Sequence, residues 1–360
     1  MQKDFHYYAT YCIARAAGLN CDSARTIAYS AQFVDDNTAS DVEEHEDGSS
    51  IHPVTTAHHP SNISNRNTKD QRLVWIPFHF IPAGKGDSWT EKLITHKDSE
   101  IARKMIRNHR NQYNSEYTLH LMGIASHAYA DTFSHYGFSG VSSRKNRVDG
   151  SSIKMESKDD VLFLALGKTF SDWVNKYGGL TQNIRAALSG LAEKYTGALG
   201  HGGVSTYPDF PFLKWSFKYE NSDIENIRDN PATYLEYAQK IHEIFSLYAT
   251  ENPQFCGRGS SHIKWNLLEK KIDWIINQEG GLEDRINIWQ AAAQDGDFSA
   301  SEKIPEYDEN DWHQEADSLK DLDSSDDAKD LDVYKFFCAA EYHRFYILRV
   351  LLPSHGIVVI

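Results

Sequence analysis

The sequence is poor in cysteine and short of positive charge, and each shortage excludes a class of protein. Its four cysteines lie far apart and form no C-x-x-C pair, which favours free thiols over a zinc ribbon or a disulfide framework. Lysine and arginine number 37 against 51 aspartate and glutamate residues, so the net charge is −14. Because binding to a nucleic-acid backbone needs clustered positive charge, we expect no long nucleic acid as a partner.

The sequence also lacks a long apolar stretch. Its first residues do not show the basic and then apolar order of a signal peptide, which favours a cytoplasmic location and leaves non-classical secretion open. The most apolar segment, residues 345–360, is interrupted by Arg349, Pro353 and His355 and is too short to span a bilayer. We therefore expect no transmembrane segment.

Helical periodicity dominates what is present and predicts a mainly α fold, a single-domain multi-helix bundle over residues 1–360. Asp22 is a suitable N-cap for the second helix. A break is expected near Asn111 within the longest helical segment. The predicted helices cover residues 4–17, 23–34, 99–134, 158–177, 180–197, 231–250, 261–278, 281–294 and 332–351.

Five segments lack a helical period. Residues 37–71 and residues 141–157 are predicted to be polar loops. Residues 72–82, RLVWIPFHFIP, are apolar and end in proline, which favours a strand or a buried extended segment. Residues 200–215, GHGGVSTYPDFPFLKW, favour an ordered loop. Residues 295–332 are dense in aspartate and glutamate and are predicted to be a solvated, partly mobile insertion.

One predicted helix carries a row of side chains that can bind a metal ion. His127, Asp131 and His135 are spaced four residues apart, which at about 100° per residue places them within an arc of about 80°. His120, seven residues before His127, falls on the same stripe and is a candidate on the substrate side. Imidazole and carboxylate groups at this spacing can converge on one cation, and zinc takes both ligand types. We therefore predict a zinc site with Asp131 as the bridging carboxylate.

A hydrogen-bonded polar network without metal is the alternative interpretation of this stripe. A solvated helix face normally contains lysine, arginine or glutamate, and residues 119–140 contain none of them. The helix is therefore expected to be buried on nearly all sides. A buried aspartate needs partners or a metal ion to offset its lost hydration, and we favour the metal.

The remaining ligands must come from other segments, because one helix cannot surround an ion. Asp35 and Asp36 end a predicted helix, where an apolar run meets two carboxylates. His79 is flanked by large apolar residues, and His201 lies between glycines, where the backbone can approach a ligand closely. The predicted metal ligands are His6, His79, His127, Asp131, His135 and His201.

The segment SHAYADTFSHYGF, with its H-x-x-x-D-x-x-x-H core, resembles the zinc-dependent phospholipase C family, which shares an all-helical fold with the P1-type nucleases. The resemblance implies up to three zinc ions, held by an early aspartate, a following histidine and a helical His-x-x-x-Asp pair. The segments DFHYYATYCIARAAG, SAQFVDD, PFHFIP and GHGGVSTYPDFPFLKW are similar to an uncharacterised bacterial family with the same order of motifs. The positions that match the phospholipase C pattern are His6, Asp35 or Asp36, His79, His127, Asp131 and His135.

The sequence departs from the phospholipase C pattern at three points. His135 follows Asp131 by four residues, whereas this spacing is longer in the best-known members. The best-known members use the amino group of an N-terminal tryptophan as a ligand, whereas this chain starts with Met1 and Gln2, and Asp4 is a candidate replacement. A second His-x-x-x-Asp or His-x-x-x-Glu pair is not obvious later in the chain. His201 and Asp209 are therefore the candidates for completing the site.

Together these features predict a zinc-dependent phosphoester hydrolase that binds one to three zinc ions and acts on a small-molecule or lipid phosphoester. Asp35 or Asp36 would orient the attacking water or accept its proton. Tyr207 and Trp215 are candidates for an apolar mouth that takes a lipid or choline headgroup. A P1-type nuclease or nucleotidase on the same scaffold, and a non-enzymatic protein with structural zinc, are the alternatives.

Overall fold

Helices dominate the structure, a computed structural model, which agrees with the mainly α prediction. No helix within the described residues combines the length and apolar character needed to cross a membrane. The predicted helices at 158–177 and 180–197 lie outside the described part of the chain. The structure describes residues 1–58, 67–156, 199–257 and 262–359.

The chain opens on a continuous helical stretch in which a π-helix, Asp4–Ala9, runs into α1, Thr10–Ala16. The next helix is capped by Asn20, whose side chain accepts a hydrogen bond from the Ser23 N–H at 2.8 Å, so it begins before Asp22. The helices after α1 are α2 (Cys21–Asp36), α3 (Thr68–Asp70), α4 (Ile76–Phe78), α5 (Trp89–Lys92), α6 (Glu100–Arg110), α7 (Thr118–Ser134), α8 (Asn230–Glu251), α9 (Trp265–Ile276), α10 (Leu282–Gln294), α11 (Glu309–Ser318), α12 (Asp332–Phe345) and α13 (Leu352–Ser354).

Helix α7 lies in the larger hydrophobic core and packs against α2, α6, α8 and α12. The break predicted near Asn111 is confirmed, since this residue caps the end of α6. Gly123 marks the approach of α7 to α2, because a β-carbon here would collide with the Ile27 carbonyl oxygen. Only glycine lets the two backbones pass this closely, and the approach brings the end of α2 beside the metal-ligand stripe of α7.

The apolar segment at residues 72–82 is helical up to Phe78, so the prediction of a strand or a buried extended segment is wrong for that part, and only residues 79–82 are non-helical. A π-helix, Gln71–Trp75, runs into α4 and ends just before His79. Pro77 is accommodated in the first turn of α4, where its missing N–H is not needed. A short segment buried on all sides has no period that separates helix from strand, which is why the sequence misled.

The predicted polar loop at residues 37–71 contains a small antiparallel hairpin and does not run free over the surface. Strand β1 (Glu43–Glu44) pairs with β2 (Ser50–Ile51). Thr56 is fully buried, and its hydroxyl donates to the Val34 carbonyl oxygen of α2 at 2.8 Å. Residues 59–66 lie outside the described chain.

A three-stranded antiparallel sheet replaces the predicted loop at residues 141–157, whereas the predicted ordered loop at residues 200–215 is a loop with short 3₁₀ turns until its last two residues enter a strand. Strand β4 (Lys214–Tyr219) lies between β3 (Val148–Met155) and β5 (Glu225–Asp229), with Trp215 opposite Arg228. The strands are short, so their alternation is brief and was not recognised in the sequence. The sheet supports a second hydrophobic core of Phe80, Phe138, Val148, Ile153, Val204, Tyr207, Phe210, Phe212, Leu213, Trp215 and Phe217.

The acidic segment at residues 295–332, predicted to be a solvated, partly mobile insertion, exposes most of its charged residues but is anchored to the helices by buried apolar residues. Its helix α11 places Trp312 against Tyr29 of α2, with the ring centroids 4.2 Å apart. Phe298 and Ile304 are also buried. Apolar residues spaced this widely produce no helical period, although each one anchors the segment to the core.

Candidate metal centre

Helix α7 carries His127 and Asp131 one turn apart, and His135 follows directly after its last residue. The structure brings these three side chains together: His127 Nε2 and His135 Nδ1 lie 3.3 and 3.5 Å from Asp131 Oδ2. Asp131 is 1% exposed. A carboxylate at this depth needs partners that offset its lost hydration, and the neighbouring histidines hold its pKa well below the usual range against the effect of burial.

Two further elements bring His79 and Asp35 to the same point. His79 follows α4, and its Nδ1 lies 3.3 Å from Asp131 Oδ2 and 3.2 Å from His127 Nε2. Asp35 lies near the end of α2, with Oδ1 at 3.7 Å from His79 Nδ1 and 3.8 Å from His127 Nε2. The four side chains therefore converge from three separate helices.

Main-chain carbonyls fix the proton on two of these rings. His127 Nδ1 lies 2.7 Å from the Ala31 carbonyl oxygen, and His79 Nε2 lies 2.8 Å from that of Thr56. Because a carbonyl oxygen only accepts, both nitrogens donate, so that in the neutral form required for metal binding the opposite nitrogen of each ring carries a lone pair. These two lone pairs face each other at 3.2 Å and face Asp131 at 3.3 Å. Groups that can only accept hydrogen bonds are thus gathered at one point, as a cation requires.

His6, on the π-helix at the start of the chain, approaches Asp131 from the other side. Its Nε2 lies 3.3 Å from Asp131 Oδ1, and its ring stacks on that of His127 with centroids 4.0 Å apart. Burial and the neighbouring His127 lower the pKa of His6, so the ring is neutral near pH 7. Its Nε2 is buried without a hydrogen-bond partner, which fits a nitrogen that binds a metal ion.

The Met1 amino group lies between two carboxylates of the cluster. Its nitrogen is 2.9 Å from Asp131 Oδ1 and 3.2 Å from Asp209 Oδ1. Burial alone would lower the pKa of this amine, but the two carboxylates raise it to about 11. Asp4, the candidate replacement for an amine ligand, instead accepts from Arg285 Nε at 2.7 Å. The prediction for Asp4 is therefore wrong, because its carboxylate is held in a buried ion pair.

His135, His201 and Asp209 form the other end of the cluster. His135 Nε2 lies 3.3 Å from Asp209 Oδ1, and His201 Nε2 lies 3.8 Å from Asp209 Oδ2. The Ser205 carbonyl oxygen accepts from His201 Nδ1 at 2.7 Å, which turns the other nitrogen toward Asp209. Burial and the nearby His135 lower the pKa of His201 to about 4, so this ring is also neutral near pH 7.

The structure separates the two adjacent aspartates that the sequence left as alternatives. Asp35 faces the histidines, whereas Asp36 points away from them. Asp36 Oδ2 accepts from the Tyr307 hydroxyl at 2.6 Å and from Gln32 Nε2 at 3.0 Å. Neighbouring residues on a helix differ by about 100° in direction, so only one of the pair can face the cluster.

Three sets of side chains within the described ranges have ligand atoms close enough to hold a metal ion. His127 belongs to two of the sets, and Asp131 contacts members of all three. Histidine nitrogens and carboxylate oxygens are a suitable donor combination for zinc. The sets are His6, His127 and Asp131; Asp35, His79 and His127; and His135, His201 and Asp209.

Three of the predicted substrate-side residues lie apart from the cluster. His120 Nε2 lies 3.1 Å from Asp332 Oδ1 on α12. Tyr207 and Trp215 are buried in the second core, and Trp215 Nε1 donates to Asn230 Oδ1 at 3.2 Å. The structure therefore places the last two in the protein interior, and not at an apolar mouth.

Sequence reasoning missed the main-chain part of the site. The carbonyl oxygens of Ala31 and Thr56 orient two histidines, and any residue could supply them. The Met1 amine was set aside because the side chain at that position is not the expected tryptophan. The structure nevertheless places this amine between Asp131 and Asp209, as their ion-pair partner.

Fold and site together define a mainly helical protein with a buried histidine–aspartate cluster suited to divalent cations. Residues 1–351 match DUF6765, a family of unknown function, and the chain belongs to this family. A search of curated proteins found no match, and a search of solved structures found none either.

Proposed function

We propose that this protein is a zinc-dependent phosphoester hydrolase, with phospholipase C-like cleavage of a phosphodiester as the favoured reaction. The observation that carries the proposal is the pair of lone-pair nitrogens on His79 and His127, which face each other and Asp131 at 3.2–3.3 Å. When both rings are neutral, these two nitrogens and Asp131 Oδ2 have no hydrogen to share and repel one another. A divalent cation satisfies all of them at once.

The three ligand sets support the binding of one to three zinc ions. Zinc bound there would supply positive charge to a phosphate oxygen and lower the pKa of a coordinated water to about 7. Asp131 would bridge the sets, and His127 would serve two of them. This local charge would allow a phosphate to enter a protein whose net charge is −14.

Asp35 is the residue best placed to handle the proton of the attacking water. Its side chain is 33% exposed, against 1% for Asp131 and 10% for Asp209, so solvent and substrate can reach it. Burial of the remainder and the charge of Asp131 raise the pKa of Asp35 to about 7. A carboxylate with a pKa near 7 can accept a proton at neutral pH more effectively than an ordinary aspartate.

The test is hydrolysis by zinc-loaded protein of a panel of phosphoesters. The panel contains a chromogenic phosphodiester, a phosphatidylcholine micelle, a nucleotide and single-stranded DNA. We expect the small or lipid diester to be cleaved, with activity lost to a chelator and restored by zinc. Preferential cleavage of the nucleotide or DNA would instead indicate a P1-type activity. A zinc-loaded protein that cleaves none of them would indicate a structural metal and overturn the proposal.

A matched pair of variants tests the role of Asp35. Asp35→Asn removes the proton acceptor, and we expect kcat to fall about 100-fold or more. Asp36→Asn changes the adjacent carboxylate, which binds Tyr307 and Gln32, and should leave kcat nearly unchanged. Zinc content measured in both variants separates a role in proton transfer from a role in holding the metal.

A further inference from the structure

Two buried histidines outside the three ligand sets, His109 and His343, form a hydrogen-bonded pair behind α4. Both are 0% exposed. His109 Nε2 on α6 lies 2.9 Å from His343 Nδ1 on α12, and His343 Nε2 lies 2.7 Å from the Pro77 carbonyl oxygen. The pair thus connects two long helices to the short helix that precedes His79.

The direction of each hydrogen bond in this chain follows from the carbonyl group at its end. Pro77 offers only an acceptor, so His343 Nε2 donates to it. In a neutral ring His343 Nδ1 then accepts, and His109 Nε2 donates to it. Burial lowers the pKa of both rings, that of His343 to about 4, so they are neutral near pH 7.

His343 binds the backbone at Pro77, and the residues that follow Pro77 contact two of the ligand sets. The Phe78 ring stacks on that of His343, with centroids 5.1 Å apart and an interplanar angle of 26°. The next residue, His79, presents its side chain to the set that contains Asp35. Its main-chain oxygen accepts from His135 Nδ1 at 3.1 Å and so orients a histidine of another set. A shift of this one peptide would therefore disturb both sets.

We propose that His343 is a positioning residue that holds residues 77–79, and through them His79 and His135, in the geometry that metal binding needs. The hydrogen bond to Pro77 performs this role, and His109 orients the His343 ring. The inference rests on the proposed metal centre. According to this inference, one hydrogen bond outside the coordination sphere affects metal binding at two ligand sets at once. Residues that hydrogen-bond to metal ligands have a comparable effect on metal affinity in other proteins.

Two substitutions at His343 separate its two hydrogen bonds. The amide of Asn reaches about as far as Nδ1 of histidine, so His343→Asn keeps an acceptor for His109 and loses the donor to Pro77. The amide of Gln extends one carbon further, so His343→Gln restores a donor to Pro77. We expect His343→Asn to bind cobalt(II) or zinc about 10- to 100-fold more weakly, and His343→Gln to bind nearly as tightly as the wild type.

The readouts are metal stoichiometry, metal affinity and the visible spectrum of cobalt(II), with thermal unfolding of each metal-free variant as a control. The cobalt(II) bands of His343→Asn should change, because coordination is altered at two sets, while those of His343→Gln should match the wild type. Wild-type affinity and spectrum in His343→Asn would overturn the positioning role. If His343→Asn does not fold, an altered spectrum in folded His343→Gln would overturn it instead.

This experiment distinguishes the failure of the inference from the failure of the proposed function. Wild-type protein that binds neither cobalt(II) nor zinc would contradict the metal centre itself. Wild-type protein that binds metal, beside a His343→Asn variant that binds it equally well, would contradict only the role of His343.

Discussion

The cluster has two halves that the chain builds in different ways. Six side chains that lie on or directly after helical elements form the helix-borne half, defined as His6, Asp35, His79, His127, Asp131 and His135. The loop-borne half is defined as His201 and Asp209. His201 directly precedes one short 3₁₀ turn near the second core, and Asp209 ends another. The side chains of His201 and Asp209 are 19% and 10% exposed, whereas those of His127 and Asp131 are 0% and 1% exposed.

The two halves also differ in how their backbones are held. Repeated hydrogen bonds and helix packing fix the helix-borne half, as at the contact between α2 and α7. The backbone of the loop-borne half includes Ser205, which has φ 51° and ψ −137°. Residues other than glycine rarely adopt this backbone conformation. The Ser205 carbonyl orients His201. We therefore expect the helix-borne half to bind metal more tightly, because its ligands are already in place in the metal-free protein.

Asp131→Asn should have the largest effect, because this carboxylate joins the two halves. It contacts His6, His79 and His127, and it shares the Met1 amine with Asp209. We expect metal affinity to fall by more than about 100-fold at the sets of both halves, since an amide carries no charge. Equilibrium dialysis against zinc measures this. Full zinc content in folded Asp131→Asn would contradict the bridging role, and Asp36→Asn is the control.

His201→Ala tests whether the halves bind metal independently. His201 belongs to one ligand set only, so we expect the loss of one ion and retention of the metal in the helix-borne half. His6→Ala is the matched control, because His6 also belongs to one set but lies on the other side of Asp131. Zinc content and anomalous scattering report which position is lost. Loss of all zinc from His201→Ala would show that the two halves act as one unit.

We expect the ionisation of Asp35 to contribute to the pH dependence of zinc affinity. Its pKa is raised to about 7 by burial and by Asp131, and only the ionised carboxylate binds a cation. Affinity should therefore rise as pH increases from about 5 to about 7, by at most about tenfold per unit from this group. Asp35→Asn should remove that part of the slope and leave the part due to histidine protonation. An identical slope in wild type and variant would contradict the assignment.

Ser205→Gly should have the smallest effect, confined to the loop-borne half. Glycine adopts the backbone conformation of this residue without steric cost, so we expect the metal-free protein to gain up to about 1 kcal/mol of unfolding free energy. The carbonyl that orients His201 is retained, so zinc content should not change. Thermal unfolding measures the gain, with Ser205→Ala as the control. A loss of stability in the glycine variant would argue against strain at this position.

Sequence reasoning reached the helix-borne half more fully because helical spacing fixes direction. The four-residue steps from His127 to His135 placed all three side chains on one stripe, and the structure brings them together. Sequence reasoning could not choose between Asp35 and Asp36, because that choice depends on how α2 is rotated about its own axis. It also missed the strands and the anchoring of residues 295–332, where widely spaced apolar residues leave no periodic signal.

Sequence reasoning could not identify the main-chain groups of the site, for a different reason. The carbonyls that orient His127, His79 and His201 come from Ala31, Thr56 and Ser205, and nothing about those side chains reveals the role. The same holds for the Met1 amine. His343 is connected to the cluster through its contact with Pro77, and no sequence pattern marks that contact.

The most direct test of the central claim is the zinc content of purified protein after dialysis, measured beside that of His127→Ala. His127 contributes to two ligand sets, so the account predicts one to three zinc ions per wild-type chain and a loss of most of that zinc in the variant. Equal zinc content in the two proteins, or a wild-type protein that takes up no zinc, would contradict it.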